Sequence, residues 1–155
     1  MSASSVAQKT VEDLLNQFNT RSIPYISVAA LKMQMTKGTV KVLDAREYEE
    51  FEVSHLPTAI FVGYSSFSSE EVSASLPNKE QPLVVYCSLG IRSEEIGEKL
   101  KKAGYSNVKN LYGGIFEWKN KDYKVLDSKG AETENVHTCS KVWGKWLTKG
   151  NKVYD

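Results

Sequence analysis

The chain has 155 residues, and its 20 Lys and Arg nearly balance its 19 Asp and Glu to give a net charge of +1. This length suits one domain with a sizeable hydrophobic core. The intermixed charges exclude the basic face of a nucleic-acid-binding domain, and no apolar run is long enough to cross a bilayer, so neither nucleic acid nor a membrane is expected as a partner.

The start of the chain and its cysteine content favour a cytoplasmic protein. Residues 1–10 are polar and lack the apolar region of a secretory signal peptide. The two cysteines, Cys87 and Cys139, are too few for a disulfide framework. A reducing compartment would keep Cys87 available for chemistry.

Apolar spacing at the start of the chain predicts a helix, a strand and a second helix. Residues 6–18 have helical periodicity and are expected to pack on the edge of the domain. A short strand over residues 23–28 then begins the domain itself. Ser27 can cap a helix that runs to about Thr36, and Gly38 stops that helix.

Further apolar runs predict the remaining strands of a sheet. These runs lie at residues 41–44, 59–63, 83–87 and 108–112. Residues 65–75 suit a loop with a short helix, and residues 93–103 suit a longer helix. Strands that alternate with helices are typical of an α/β fold with a mainly parallel sheet.

The predicted sheet places several polar side chains at one edge. Functional sites of open α/β sheets lie beyond the carboxyl ends of the strands. Asp44 and Arg46 follow one predicted strand, and Cys87 ends the predicted central strand. Because the strands are expected to be parallel, these residues should meet at the same edge.

The segment that begins at Cys87 is the strongest candidate for a functional site. It reads Cys-Ser-Leu-Gly-Ile-Arg-Ser over residues 87–93 and leads into a predicted helix. A cysteine attacks as its thiolate, and a helix N-terminus together with backbone N–H groups can stabilise that anion. Gly90 permits the positive φ angle that would curl the loop inward. The alternative is a buried cysteine that only fills space.

Three segments together resemble the rhodanese family. Residues 42–59 are similar to its Asp-x-Arg, Glu-Phe and His-Ile-Pro-Gly-Ala pattern, and residues 87–93 to its Cys-x-x-Gly-x-Arg-Ser loop. Residues 100–118 are similar to its closing strand and Gly-Gly…Trp turn. The order and spacing of the three segments are more specific than any one of them, and the resemblance covers about residues 25–120.

The resemblance implies a rhodanese-like α/β fold, with a mainly parallel five-stranded sheet flanked by helices. The domain itself is expected over residues 23–122. An N-terminal helical extension over residues 1–22 precedes it, and a C-terminal extension over residues 123–155, also helical, is expected to pack on it.

The resemblance also implies a reaction. Cys87 would attack the outer sulfur of a donor such as thiosulfate, hold that sulfur as a persulfide, and pass it to a thiophilic acceptor such as cyanide or a thiol. Asp44 and Arg46 would support the site, and no metal or organic cofactor is expected. The loop residues that would bind the substrate are Ser88, Leu89, Gly90, Ile91, Arg92 and Ser93.

Other functions stay open at this point. A persulfide carrier or interaction module would receive sulfur from a partner protein, which suits a loop whose single basic residue is Arg92. A phosphatase or arsenate reductase of the same fold would resemble a longer Cys-x5-Arg loop, whereas four residues separate Cys87 from Arg92. The intact Cys87 argues against a non-catalytic domain.

The roles of the residues at the end of the loop follow from their charge and position. Arg92 would either attract an anionic donor and favour the thiolate, or pair with a carboxylate and brace the loop. Ser93 is expected to be the helix N-cap. Glu94 and Glu95 suit the positive end of the helix and are expected to face solvent.

Structural roles are favoured for the residues before the loop. Arg46 and Glu50 are four apart and could pair on a helix. His55 is expected to be structural, with a general base as the alternative. Thr58 stands where the resembled motif commonly has glycine, which affects the local turn.

The segment after Tyr123 lies outside the resemblance. Residues 124–134 are expected to form a loop. Trp118, which precedes them, is expected to be an aromatic residue of the core or of a lid. An apolar stripe at helical spacing then favours a docked helix, although exposed Trp side chains could instead form a homodimer contact. The stripe consists of Val142, Trp143, Trp146 and Leu147.

The second cysteine has no assigned role in the sequence. His137 and Cys139 are close together but lack zinc-ligand spacing, so no metal site is expected. Cys139 would act as a resolving thiol only if the fold brings it near Cys87.

Overall fold

A computed structural model describes residues 9–154, and a sheet of five parallel strands forms its centre. The strands are β1 (Tyr25–Ile26), β2 (Lys41–Asp44), β3 (Ile60–Phe61), β4 (Leu83–Tyr86) and β5 (Val108–Leu111). Their order across the sheet is β1-β5-β4-β2-β3, which places β4 at the centre. The predicted α/β fold with a five-stranded parallel sheet is confirmed.

Helices flank both faces of this sheet. They are α1 (Val11–Phe18), α2 (Val28–Lys37), α3 (Tyr48–Val53), α4 (Ser69–Ser75), α5 (Arg92–Lys102), α6 (Gly114–Asn120) and α7 (Lys141–Gly144). The helix predicted over residues 6–18 is described only from Val11, since Val6 lies outside the described residues. The sequence did not predict α3 and α6, because six and seven residues are too few to establish a helical period.

The predicted ends of α2 are confirmed. The Ser27 hydroxyl accepts a hydrogen bond from the backbone N–H of Ala30 at 3.1 Å, which caps the first turn. Gly38 ends the helix with a φ angle of 74°, which a residue without Cβ adopts readily. These local signals fix where the chain turns toward β2.

The core lies on both faces of the sheet. Val84 packs with α2 and α6, whose Leu31 and Trp118 are buried in the same cluster. Val85, the next residue of β4, packs on the opposite face with Ile96 of α5. Burial on both faces explains why β4 reads as a continuous apolar run.

The C-terminal segment differs from its prediction. The loop predicted over residues 124–134 contains a two-stranded antiparallel hairpin of β6 (Val125–Leu126) and β7 (Glu132–Thr133). Strands of two residues give no alternating pattern, and the Asp127 carboxylate forms the turn by accepting from the backbone N–H groups of Lys129 and Ala131.

Beyond the hairpin, two parallel strands hold a short helix against the domain. The strands are β8 (Asn135–His137) and β9 (Asn151–Val153), with α7 between them. The apolar stripe predicted as one helix is therefore only partly helical, since α7 ends before Trp146 and Leu147. Leu147 is buried and Trp143 and Trp146 are half-buried, so the segment packs on its own domain. The homodimer contact through these Trp residues stays a prediction.

Among residues 9–154, no helix has the length and apolar character needed to cross a membrane.

Replacing Thr58 with glycine is expected to stabilise the fold. Thr58 has a φ angle of 64°, which crowds the Cβ of any L-residue and especially of a β-branched one. Relief of this strain, less the extra chain entropy of glycine, should raise the free energy of unfolding by about 0.5–1 kcal/mol. Urea denaturation of Thr58→Gly measures it. The matched Thr39→Gly change, at an exposed residue outside the positive-φ set, should destabilise the fold. Equal losses in both variants would contradict the prediction.

Candidate active site

Cys87 lies at the carboxyl end of the central strand, where its sulfur is buried under the loop that follows. Its exposed fraction is 2%. The backbone N–H of Gly90 donates to Sγ at 3.2 Å, and the hydroxyl of Ser93 lies 3.4 Å from Sγ. Gly90 has a φ angle of 126°, which turns its N–H back toward the sulfur and which residues with a Cβ rarely adopt. The Gly90 N–H thus donates to the thiol, and the Ser93 hydroxyl lies within hydrogen-bonding distance of it.

Two asparagines hold the carbonyl side of the same glycine. The side-chain amides of Asn19 and Asn110 each donate to the Gly90 oxygen at 2.9 Å. Leu15 of α1 closes the space behind the glycine, since a methyl group added to Gly90 would lie 3.3 Å from its Cδ2. The N-terminal segment therefore braces the loop. Neither asparagine was predicted, although Asn110 is a neutral polar residue within a predicted strand and could have been noticed.

The glycine pair before α6 supports the loop from the other side. The N–H of Ile115 donates to the Cys87 carbonyl at 2.9 Å, and that of Phe116 to the Ser88 carbonyl at 3.2 Å. Gly114 has a φ angle of 58°, and a Cβ there would lie 2.5 Å from the Ser88 oxygen. Only glycine therefore permits this close approach between α6 and the Cys87 loop.

The predicted N-cap role of Ser93 is wrong. α5 begins at Arg92 with Ile91 at the cap position, so Ser93 lies inside the first turn. Its buried hydroxyl is 2.6 Å from Asn110 Oδ1 and 3.4 Å from Cys87 Sγ. With a single proton, the hydroxyl donates to one of these acceptors at a time. The sequence missed this contact because Asn110 is distant along the chain.

The two glutamates after Ser93 differ from each other. Glu94 was expected to face solvent, but it is 6% exposed, and its carboxylate accepts from the backbone N–H groups of Thr20 and Arg21, both at 2.9 Å. This carboxylate ties the N-terminal segment to α5. Glu95 does face solvent and lies 3.6 Å from Lys99.

Arg92 pairs with Glu50 of α3. Its Nη1 and Nη2 atoms donate to the two carboxylate oxygens at 2.8 and 2.9 Å, and Nη2 also donates to Ser88 Oγ at 3.0 Å. Of the two roles considered for Arg92, this geometry is that of a brace, because the fork of the guanidinium is occupied and its charge is balanced. The four-residue spacing suggested a pair between Glu50 and Arg46. That pair does not form, because Glu50 binds Arg92 instead.

Acidification is expected to weaken this brace. Burial raises the pKa of the Glu50 carboxyl, but hydrogen bonds and positive charge from Arg92, with the charge of Arg46, hold the pKa below its ordinary value of 4.5. Because the folded pKa is the lower one, Glu50 stabilises the fold fully above pH 4.5, and its contribution is lost as the pH falls through the folded value.

The Glu50→Gln variant isolates that contribution. At pH 7 its free energy of unfolding should be about 1–3 kcal/mol below that of the wild type, since Arg92 is partly solvated. Urea denaturation over a pH series should show that the free energies of unfolding of the two proteins converge at acidic pH. A difference that stays constant with pH would contradict the assignment.

Asp44 and Arg46 form a buried ion pair beside the loop. Both side chains are 0% exposed, and Arg46 Nη2 donates to Asp44 Oδ2 at 2.7 Å and to the Ser54 carbonyl at 2.7 Å. The Tyr86 hydroxyl donates to Asp44 Oδ2 at 2.5 Å. Burial and the negative charge of Asp44 raise the pKa of Tyr86, so it stays a neutral donor. The pair thus supports Tyr86, the residue that precedes Cys87.

A small pocket opens above the thiol. Its volume is about 160 Å³, below the roughly 300–1,000 Å³ of typical small-molecule sites. The lining residues are Cys87, Ser88, Ile91, Arg92, Cys139 and Trp143. Larger depressions of about 510 and 330 Å³ lie beside α5 and α4, but among residues 9–154 no cysteine or histidine lines them. The pocket at Cys87 is therefore the candidate site, and its size suits a small substrate.

The pocket includes two residues that the sequence did not place there, and it omits several residues that the sequence analysis considered for the site. Cys139 and Trp143 come from the C-terminal segment, whose path could not be read from local pattern. Leu89, predicted as a loop residue that binds substrate, packs into the core instead. His55 stacks on Phe51 at 4.1 Å, with Nδ1 3.2 Å from the Phe51 carbonyl, and Trp118 is buried in the core. Neither lines the pocket.

Comparison with known proteins gives a consistent result. The family model described as Rhodanese-like domain matches residues 27–121. YrkF of Bacillus subtilis, a candidate sulfur carrier protein, is 32% identical over 104 residues, which are 66% of this chain and 55% of YrkF. The thiosulfate sulfurtransferase GlpE of Coxiella burnetii is 29% identical over 83 residues, which are 54% of this chain and 75% of GlpE. The chain thus spans about half the length of YrkF.

The solved structures agree on the fold. The BH2092 protein of Bacillus halodurans superposes with a TM-score of 0.63 at 24% identity, over 78% of this chain and 89% of that one. At this identity the likeness shows the architecture alone.

Proposed function

Because this chain belongs to the family of rhodanese-like domains, we propose that it is a sulfurtransferase that carries sulfane sulfur as a persulfide on Cys87. The observation that supports this function is the position of the Cys87 sulfur. It lies at the floor of a small pocket, at the end of the central strand, with the Gly90 N–H 3.2 Å away and the Ser93 hydroxyl 3.4 Å away. These donors can stabilise negative charge on the sulfur as it forms.

The reaction has two displacement steps at sulfur. The Cys87 thiolate attacks the outer sulfur of a donor such as thiosulfate, a new S–S bond forms, and sulfite leaves with the electron pair of the bond that breaks. An acceptor nucleophile, cyanide or a thiolate, then attacks the outer sulfur of the persulfide. The Cys87 thiolate leaves with its electron pair, and the enzyme is restored. Neither step requires an outside oxidant or reductant.

The charge of the pocket affects which sulfur donor it favours. Among the described residues that line it, Arg92 is the only cation, and Glu50 balances its charge at 2.8 Å. A dianion such as thiosulfate gains little from a neutralised guanidinium. This observation favours a second candidate function, in which the domain is a persulfide carrier that receives sulfur from a less charged donor on a partner protein. The name of YrkF points in the same direction, and that of GlpE toward thiosulfate.

A phosphatase or arsenate reductase has less support. The loop from Cys87 to Arg92 spans six residues, one fewer than the Cys-x5-Arg loop that such enzymes would resemble. Arg92 is held by both oxygens of Glu50 and is not presented to a phosphate.

Intact-protein mass spectrometry tests the proposal. The full chain is exposed to thiosulfate and, separately, to glutathione persulfide, and is then treated with cyanide. We expect a gain of sulfur that cyanide reverses, with faster loading from the persulfide than from thiosulfate. Faster loading from thiosulfate would favour the thiosulfate sulfurtransferase over the carrier, and no gain with either donor would overturn both.

A further inference from the structure

Cys139 lies in the same pocket as Cys87, although it belongs to a part of the chain outside the family match. It follows β8 and precedes α7, beyond residues 27–121. Cys87 is buried at the floor of the pocket, whereas Cys139 is exposed at its rim. The C-terminal segment thus brings a second sulfur to the site, on the solvent side of the first.

The fold holds Cys139 in this place by backbone contacts on both sides. The N–H of Cys139 donates to Nδ1 of the buried His137 at 3.0 Å, and the N–H of Thr138 donates to the Val153 carbonyl of β9 at 2.9 Å. Ser140 caps α7 by accepting from the Trp143 N–H at 3.2 Å. Cys139 has a φ angle of 68°, a conformation that residues other than glycine rarely adopt. The surrounding contacts therefore determine where this residue sits.

Arg92 lies close enough to both cysteines to respond to each. Burial lowers the pKa of the Arg92 guanidinium, but the Glu50 hydrogen bonds and the negative charges of Cys87, Glu50 and Cys139 raise it further, so the net change is upward. The same guanidinium therefore lines the pocket beside both sulfurs.

We propose that Cys139 is a second sulfur-carrying residue, which takes the sulfane sulfur from the Cys87 persulfide and presents it at the surface. This inference rests on the proposed persulfide function. It is supported by the shared pocket, by the contrast between a buried and an exposed thiol, and by the one guanidinium beside both.

The transfer is a thiol–persulfide exchange. The Cys139 thiolate attacks the outer sulfur of the Cys87 persulfide, which projects into the pocket by one S–S bond of about 2 Å. A bond forms between Cys139 Sγ and that sulfur, the bond to Cys87 Sγ breaks, and its electron pair returns to Cys87 as the thiolate. The number of S–S bonds is unchanged, so no oxidant or reductant is needed.

This relay of sulfur from Cys87 to Cys139 determines the class of acceptor. A pocket of about 160 Å³ is smaller than typical small-molecule sites, so a thiol carried on a protein surface reaches the exposed Cys139 more readily than the buried Cys87. Sulfur on the exposed Cys139 is accessible to such a thiol. The structure therefore favours a protein thiol as the acceptor served by Cys139.

Mapping the sulfur within the full chain tests the relay. The protein is loaded with excess thiosulfate, freed of donor, quenched with iodoacetamide and digested, and the alkylated persulfide is located by tandem mass spectrometry. In the wild type we expect sulfur on both Cys87 and Cys139. In Cys87→Ser the sulfur on Cys139 should be lost, because the proposed transfer supplies Cys139 only from the Cys87 persulfide. In Cys139→Ser, Cys87 should still be loaded.

A mixture of the two single variants is the matched control for transfer between molecules. Sulfur on Cys139 in the dilute mixture at the wild-type level, or in Cys87→Ser alone, would overturn the relay. So would wild-type protein with sulfur on Cys87 only, an outcome that leaves the proposed function intact. A Cys87–Cys139 disulfide with release of hydrosulfide would also overturn it. If neither cysteine is loaded, the sulfurtransferase function and the relay fail together.

Discussion

Replacing Cys87 with serine is expected to reduce sulfur transfer from thiosulfate to cyanide by about 10⁴-fold or more, as the loss of a covalent nucleophile does in other enzymes. The serine hydroxyl is a poor nucleophile toward sulfur and cannot form a persulfide. The surroundings should survive, since serine differs by one atom and can still accept from the Gly90 N–H, now 3.2 Å from the sulfur. The measurement is the steady-state rate of thiocyanate formation.

Two control variants distinguish a loss of catalytic activity from a loss of folding. Cys87→Ala should be as inactive as Cys87→Ser, with a urea midpoint close to that of the wild type. Ser106→Ala, an exposed change just before β5 at the opposite edge of the sheet, should keep the wild-type rate. Substantial turnover by Cys87→Ser would mean that the nucleophile lies elsewhere, with Cys139 as the next residue to replace.

The sequence predicted those parts of the fold whose causes are local. β4 is buried on both faces and therefore reads as an apolar run, and Gly38 ends α2 because it adopts a φ angle of 74°. The Cys87 loop was recognised because its residues are consecutive. What β4 and the loop share is that each signal occupies a few neighbouring residues.

The parts that the sequence did not predict depend on contacts between distant segments. Ser93 was assigned to the helix cap because serine favours that position, but burial against Asn110 gives its hydroxyl a different role. Glu50 was matched to Arg46 by spacing, whereas Asp44 occupies Arg46 and leaves Glu50 to Arg92, 42 residues away. Only the assembled sheet edge brings these partners together.

Removing one member of the buried Asp44–Arg46 pair is expected to have the largest effect on stability. Both side chains are 0% exposed, and Asp44 accepts from the Arg46 backbone N–H, from its guanidinium and from the Tyr86 hydroxyl. In Asp44→Ala the guanidinium stays buried with the Ser54 carbonyl as its remaining acceptor. An uncompensated buried charge of this kind costs about 3–5 kcal/mol.

Comparison with two other variants tests whether the loss of stability comes from the uncompensated buried charge. The double variant Asp44→Ala/Arg46→Met removes both charges and should be more stable than Asp44→Ala alone, because a buried pair can be replaced by apolar groups at little cost. Lys149→Ala breaks an exposed pair with Asp122, where the side chains are 50% and 67% exposed, and should cost far less than Asp44→Ala. Urea denaturation at pH 7 gives all three values. If Asp44→Ala costs no more than Lys149→Ala, or if the double variant is the least stable, the Asp44–Arg46 charges are not what stabilises the strand end before Cys87.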